Sequence, residues 1–259
     1  MSTRPPAASR AASGPAALAA GERPFLKVPT PRPPHRGAFI SFEGGDGAGK
    51  STQMGMLRDH LVTERMVAED LILTTREPGG TALGRQIRGL LLHGEHVDAQ
   101  AEALLYAADR AHHVATLVRP HLARGGLVLA DRYLDSSIAY QGAGRELPAQ
   151  EIAALSKWAV DGLLPHRTIL LDVPPDTLGV RRGVAEQDRL ERAGSDFHQA
   201  VRREFLELAA ADPQRFAVVD GTQDRDTVHA EVLEVVREVL EMFDPTFEPP
   251  VPPSHRDDA

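Results

Sequence analysis

One stretch, Phe39 to Thr52 (FISFEGGDGAGKST), constrains this chain more than any other. Phe39 to Phe42 is a short, mostly apolar run with the composition of a buried strand. It leads into Gly44-Gly45-Asp46-Gly47-Ala48-Gly49-Lys50-Ser51, a full match to GxxxxGK[ST], with Thr52 next in line. The glycines let backbone N–H groups turn toward phosphate oxygens with no Cβ in the way. Lys50 brings a point charge to the β- and γ-phosphates of a nucleotide, and the Ser51 hydroxyl suits Mg²⁺. The helix expected to begin near Lys50 adds its positive end to the same anion site. The motif is complete and its flanks are right, so it reads as a phosphate-binding P-loop rather than an unliganded turn.

Around that stretch the pattern alternates strand and helix. Leu71 to Thr75, Leu127 to Ala130, Thr168 to Val173 and Phe216 to Val219 read as further strands. Helices are expected after the P-loop and over about Thr81–Leu92, Asp98–Arg119, Leu147–Leu163, Asp196–Ala211 and Thr227–Phe243. Five short apolar strands separated by helices imply an α/β fold: a five-stranded parallel sheet between two helical layers. Ligands in such sheets bind beyond the carboxyl ends of the strands. Residues 1–37 and the stretch from Asp244 onward are rich in Pro, Ala, Ser and Arg or in Pro and Asp, and read as disordered tails around a domain spanning 38–243.

Charge and composition narrow the function. A formal charge of −8 argues against a protein that holds nucleic acid through its overall field. The chain has no cysteine, so disulfides, thiolate metal sites and a cysteine nucleophile are excluded. No apolar run reaches the roughly 20 residues needed to span a bilayer, and Ala16 to Ala20 is too short for a signal-peptide core. The expectation is a cytoplasmic protein with neither membrane nor nucleic-acid partners.

Several residues at strand ends carry candidate chemistry. Arg76 opens REPGG, where Pro78 and two glycines force a turn; it suits bidentate capture of a second phosphate, with a surface arginine in a turn as the alternative. Asp131 closes the most apolar strand, as does the acid that holds Mg²⁺ in P-loop enzymes, with Arg132 beside it for a phosphate; a buried ion pair is the plainer alternative. Tyr106 and Arg110 stand i, i+4 on one helix face. Taken alone, that pair reads as a core tyrosine beside a solvated arginine. Ser137, Tyr140 and Gln141 form a polar cluster after Arg132. The Arg-rich run Arg181–Arg192 is either a closing loop or a solvated face. The histidines follow no metal-ligand spacing, and His112, His113 and His198 read as surface or packing residues.

Together these residues resemble thymidylate kinase over about Phe39 to Val236. FEGGDGAGKSTQ, TREPGGT, AEALLYAADR, DRYLDSSIAYQGAGR and LLDVPPDTLGVRR stand in that family's order and spacing. The resemblance implies a P-loop kinase that transfers the ATP γ-phosphoryl to dTMP, giving dTDP and ADP on the way to dTTP, with Mg²⁺ and as a homodimer. It gives Gly44 to Thr52 to ATP, and Lys50 to the transferred phosphoryl. Asp46 falls near the acceptor phosphate and Mg²⁺, with Ser51 and Asp131 as metal-side residues. Arg76 and Arg132 would hold the dTMP phosphate, Tyr106 would stack on thymine and Arg110 would reach a thymine carbonyl. Ser137, Tyr140 and Gln141 would line base and sugar. An acidic residue at position 46 replaces the arginine some members carry there, so the cation would come from a lid at about 181–195, with Arg182 and Arg189 favoured over Arg181.

Two rivals stand beside that reading. One is a nucleoside or nucleotide kinase with another acceptor; Arg76 together with Arg132 favours a phosphorylated one. The other is a nucleotide-gated binding protein that transfers nothing. Its GTPase-like form reads guanine with NKxD, and this chain contains no asparagine.

Overall fold

The computed structural model describes residues 36–143, 147–182 and 194–242, with side chains left out of consideration at 143 and 179–182. Five strands form one sheet: β1 (Ala38–Glu43), β2 (Ile72–Arg76), β3 (Leu127–Asp131), β4 (Arg167–Asp172) and β5 (Phe216–Asp220). They lie in the order β2-β3-β1-β4-β5, and every pairing is parallel. The expected sheet is present, each strand within one or two residues of its predicted bounds.

Parallel strands covered on both faces are apolar along most of their length, because successive side chains alternate between two buried layers. Ile40, Phe42, Leu127, Leu129, Ile169 and Leu171 face one layer. That layer is closed by α1 (Lys50–Thr63) and α9 (Arg225–Met242). Phe39, Val128 and Ala130 face the other, covered by α3 (Ala99–His113), α4 (Arg119–Ala123), α5 (Leu134–Ser137) and α6 (Ala149–Ala159). Also on this side are α2 (Ala82–His93), which packs on α3, and α8 (Ser195–Ala211), which packs on β4 and β5. A short helix, α7 (Pro175–Arg182), follows β4.

Two departures from the sequence reading matter for the site. The helix expected over Asp98–Arg119 continues to Ala123 through a π-helical turn at Val114–Val118. The stretch after Arg132, read only as a polar cluster, is helical: α5 runs into a second π turn at Ile138–Ala143. Widened turns of this kind recur at functional sites and carry no 3.6-residue signature. The predicted tails, apart from Arg36 and Gly37, and the core of the predicted lid with Arg189, lie outside the described residues.

Pairing registers bring the carboxyl ends of three strands together. Asp131 stands opposite Phe42 of β1 and opposite Arg76 of β2. Residues that follow all three ends, among them Lys50, Pro78 and Arg132, line one cavity.

Candidate active site

A cavity of about 400 Å³ opens beyond these strand ends. Its wall includes Asp46, Gly47, Gly49, Lys50, Ser51 and Thr52 of the P-loop and all seven acceptor-side residues named above: Arg76, Tyr106, Arg110, Arg132, Ser137, Tyr140 and Gln141. Asp131 lines it too. Gly44, Gly45 and Ala48 do not. The two glycine carbonyls instead receive the Lys50 ammonium, at 3.1 and 2.9 Å. A Cβ at Gly44 would lie 2.5 Å from the Leu171 carbonyl oxygen, so only glycine fits where the loop crosses β4.

At the P-loop end, Gly49 takes φ 101° and caps α1 without any side-chain bond, leaving the first-turn N–H groups to an anion. Lys50 is buried. Burial pushes its pKa down, with Arg132 adding to the effect, against the upward pull of Asp131, Asp46 and Glu43. The Ser51 hydroxyl donates to Asp131 Oδ2 at 2.9 Å, while the buried Asp131 Oδ1 has no hydrogen-bond partner among the described residues. An unsatisfied carboxylate oxygen beside a serine hydroxyl is a fitting donor set for Mg²⁺, which takes one or two protein oxygens and completes its shell with phosphate and water.

Arg132 lines the cavity at φ 71°, a left-handed conformation that costs a non-glycine residue on the order of 1–3 kcal/mol. Its Nη2 donates to Asp46 Oδ1 (2.6 Å) and to the Tyr140 hydroxyl (3.0 Å), and its Nη1 to Ser136 Oγ (3.0 Å). The Tyr140 hydroxyl donates to Asp46 Oδ2 at 3.2 Å. The turn is held from below by Glu43, which is fully buried at the end of β1. It accepts the backbone N–H of Tyr133 (2.8 Å) and the Ser136 hydroxyl (2.6 Å). Burial, reinforced by the Asp135 carboxylate, pushes the Glu43 pKa up to about 7, against Arg132 and the Ser136 and Tyr133 hydrogen bonds.

That shift has a sign. An acid whose folded pKa lies above its unfolded value of 4.5 contributes stability that is complete below the unfolded value and lost as pH rises through about 7. Glu43→Gln should therefore flatten the fall in stability between about pH 5 and 8. Urea denaturation across that range checks it, and an unchanged slope contradicts it.

Tyr106 and Arg110 reach the cavity from α3. Arg110, only 2% exposed, is not the solvated arginine that its spacing alone suggested. Its Nε donates to Glu77 Oε2 (2.7 Å), and its Nη2 to Ser137 Oγ (3.0 Å) and the Tyr133 carbonyl (3.2 Å). Glu77, which follows the paired strand ends and precedes a cis Pro78, also meets His113 Nδ1 at 2.7 Å. His113 Nε2 lies 2.7 Å from the Thr75 hydroxyl. So His113 is a packing residue, fully buried with its ring between Glu77 and Thr75. Sequence reasoning missed Glu43, Ser136, Glu102 and Arg88. Arg88 lines the cavity and donates to the Pro78 carbonyl at 3.1 Å.

The wall thus carries Lys50, Arg76, Arg88, Arg110 and Arg132 against the acids Asp46, Glu77 and Asp131. A P-loop, a buried aromatic with hydrogen-bonding groups and several guanidiniums on one cavity wall fit a P-loop kinase with a second, phosphorylated substrate. Comparison makes the family specific. The family model for thymidylate kinase matches residues 42–232. A thymidylate kinase from Clavibacter sepedonicus is 55% identical over 199 residues, covering 76% of this chain and 92% of the relative. One from Bifidobacterium longum (strain DJO10A) is 51% identical over 208 residues, covering 78% and 98%. The crystal structure of thymidylate kinase from Ehrlichia chaffeensis superposes with a TM-score of 0.65 at 32% identity, covering 78% of this chain and 98% of that one. The chain belongs to the thymidylate kinase family.

Proposed function

We propose that this kinase moves the γ-phosphoryl of ATP onto dTMP, with Lys50 and the α1 N-terminus cradling the donor phosphates and Arg132 and Arg76 holding the acceptor phosphate. One observation carries the reading: Arg132 sits in a strained backbone conformation, clamped by Asp46, Tyr140 and Ser136, on the wall of the cavity that the P-loop and Tyr106 also line. Strain of this kind persists only where its surroundings enforce it, and it clusters at working sites.

The acceptor oxygen is already anionic, so the protein need supply no strong base. Catalysis is then positioning and neutralisation of charge. Ser51 and Asp131 would hold Mg²⁺, whose chemistry when bound is to neutralise the donor phosphates. Asp46 and Tyr140 aim Arg132. Tyr106 offers its ring to thymine, and Arg110, Ser137 and Gln141 meet the base and sugar. Arg182 and Arg189 remain the proposed lid cations. The catalytic domain we assign spans 38–243.

Tyr106→Ala should raise the KM for dTMP by about tenfold or more, in keeping with the 1–3 kcal/mol of a base–aromatic stack, and leave the KM for ATP within about twofold. Steady-state kinetics with each substrate varied in turn checks this. Equal effects on both substrates would remove Tyr106 from the base site.

We read the assembly as a homodimer. Leu83 and Leu90, seven residues apart on α2, and Leu104 on the adjoining α3 are large exposed apolar side chains on neighbouring helices. Sedimentation should return twice the 28.0 kDa chain mass; the mass of a single chain contradicts it. Among the described residues no helix is long and apolar enough to cross a membrane. A cytoplasmic setting is proposed because the reaction draws on ATP.

A further inference from the structure

Glu102 has no role in the chemistry described so far, yet it is fully buried beside the base end of the site. It lies in the first turn of α3, where the helix field favours a negative charge. It is four residues before Tyr106 and eight before Arg110, so the three share one face of the helix. From that face two rungs cross to the segment opposite, one to the end of α5 and one to the π turn that follows it. Arg110 Nη2 donates to Ser137 Oγ, and Glu102 Oε1 accepts from Gln141 Nε2 at 3.0 Å. Gln141 is 1% exposed and lines the cavity.

The second rung removes an ambiguity. A glutamine amide has a donor end and an acceptor end of nearly the same shape, and its neighbours decide which way it faces. A carboxylate only accepts. Facing Glu102, the amide must turn its NH₂ toward the carboxylate, which leaves the carbonyl oxygen Oε1 to be presented elsewhere. Arg110, which bonds Ser137 one turn before Gln141, lines the same cavity, so a guanidinium donor and this carbonyl acceptor belong to one wall. Thymine's Watson–Crick edge presents the complement, the O4 acceptor and then the N3–H donor. Cytosine presents the reverse, the N4 donor and then the N3 acceptor.

We propose that Glu102 is a positioning residue for base selection: by fixing the Gln141 amide with its oxygen toward the base, it sets the preference for a thymine-type edge over a cytosine-type edge. This rests on the dTMP reading given above and assigns a specificity role to a residue that does not itself touch the substrate. Discrimination of this kind is strong because the wrong base leaves buried polar groups unpaired.

Glu102→Gln tests it, since glutamine keeps the shape but can donate as well as accept and so frees the Gln141 amide to flip. The ratio of kcat/KM for dTMP to that for dCMP should fall by about tenfold or more, with the KM for ATP unchanged within about twofold. The exchange variant Glu102→Gln/Gln141→Glu restores one donor and one acceptor between the positions and keeps an acceptor toward the base. It should return the ratio to within about threefold of wild type, and it reports even where the single variant fails to fold. A Glu102→Gln protein that keeps the wild-type ratio, or an exchange variant that loses it, overturns the proposal. So does a uniform loss with both acceptors, which is what mere support of the fold predicts. A wild-type protein that ignores dTMP would instead overturn the acceptor reading, and the two failures are thereby told apart.

Discussion

Lys50→Ala should reduce phosphoryl transfer by about 10³-fold or more while leaving a folded protein. Removing a single preorganised donor at a developing charge typically costs about 10²–10³ in kcat, and Lys50 contributes a full charge from a buried position. In this structure the ammonium is held by the carbonyls of Gly44 and Gly45. Those two contacts aim the cation along the loop, and nothing else described on the P-loop carries a positive charge. Burial, the largest influence on its pKa, acts downward, and Asp131, Asp46 and Glu43 act against it. Single-turnover measurement of the chemical step is the decisive readout. A variant with unimpaired transfer would separate the P-loop from the reaction.

Arg132→Lys should be nearly as damaging, by about 10²-fold or more in kcat/KM for dTMP, although the charge is conserved. The arginine fork reaches three partners at once: Asp46 and Tyr140 from one nitrogen and Ser136 from the other. A lysine ammonium cannot reproduce that planar geometry. The positive φ penalises both residues alike, so the comparison isolates the fork from the backbone. The KM for ATP should stay within about threefold, because Lys50 and the α1 N-terminus are untouched. Full activity of the lysine variant would reduce Arg132 to a structural ion pair with Asp46.

The sheet was legible because parallel strands are buried on both faces and leave apolar runs, as at Leu127–Ala130 and Ile169–Leu171. The P-loop was legible because phosphate binding demands particular residues at fixed spacing. What escaped was whatever depends on tertiary placement. Glu43, Glu102 and Arg110 are charged residues that a sequence reading assigns to water, yet each is buried against a specific partner. Burial of such groups is tolerable only with those partners in place, and the partners come from other elements, 33 residues away for Arg110 and Glu77 and 93 for Glu43 and Ser136. The π turns at Val114–Val118 and Ile138–Ala143 were hidden for a simpler reason: one widened turn has no repeat to detect. A partial signal for Glu102 did exist, since it extends the Tyr106–Arg110 stripe by one turn.

The identity of the acceptor is the claim on which the other assignments depend. ADP release should be measured with Mg²⁺ and ATP against dTMP, dUMP, dCMP, CMP, AMP and GMP in turn, at equal concentration. A thymidylate kinase site predicts turnover with dTMP at least about tenfold above that with CMP, AMP and GMP. Turnover with dTMP no greater than with those three would contradict it.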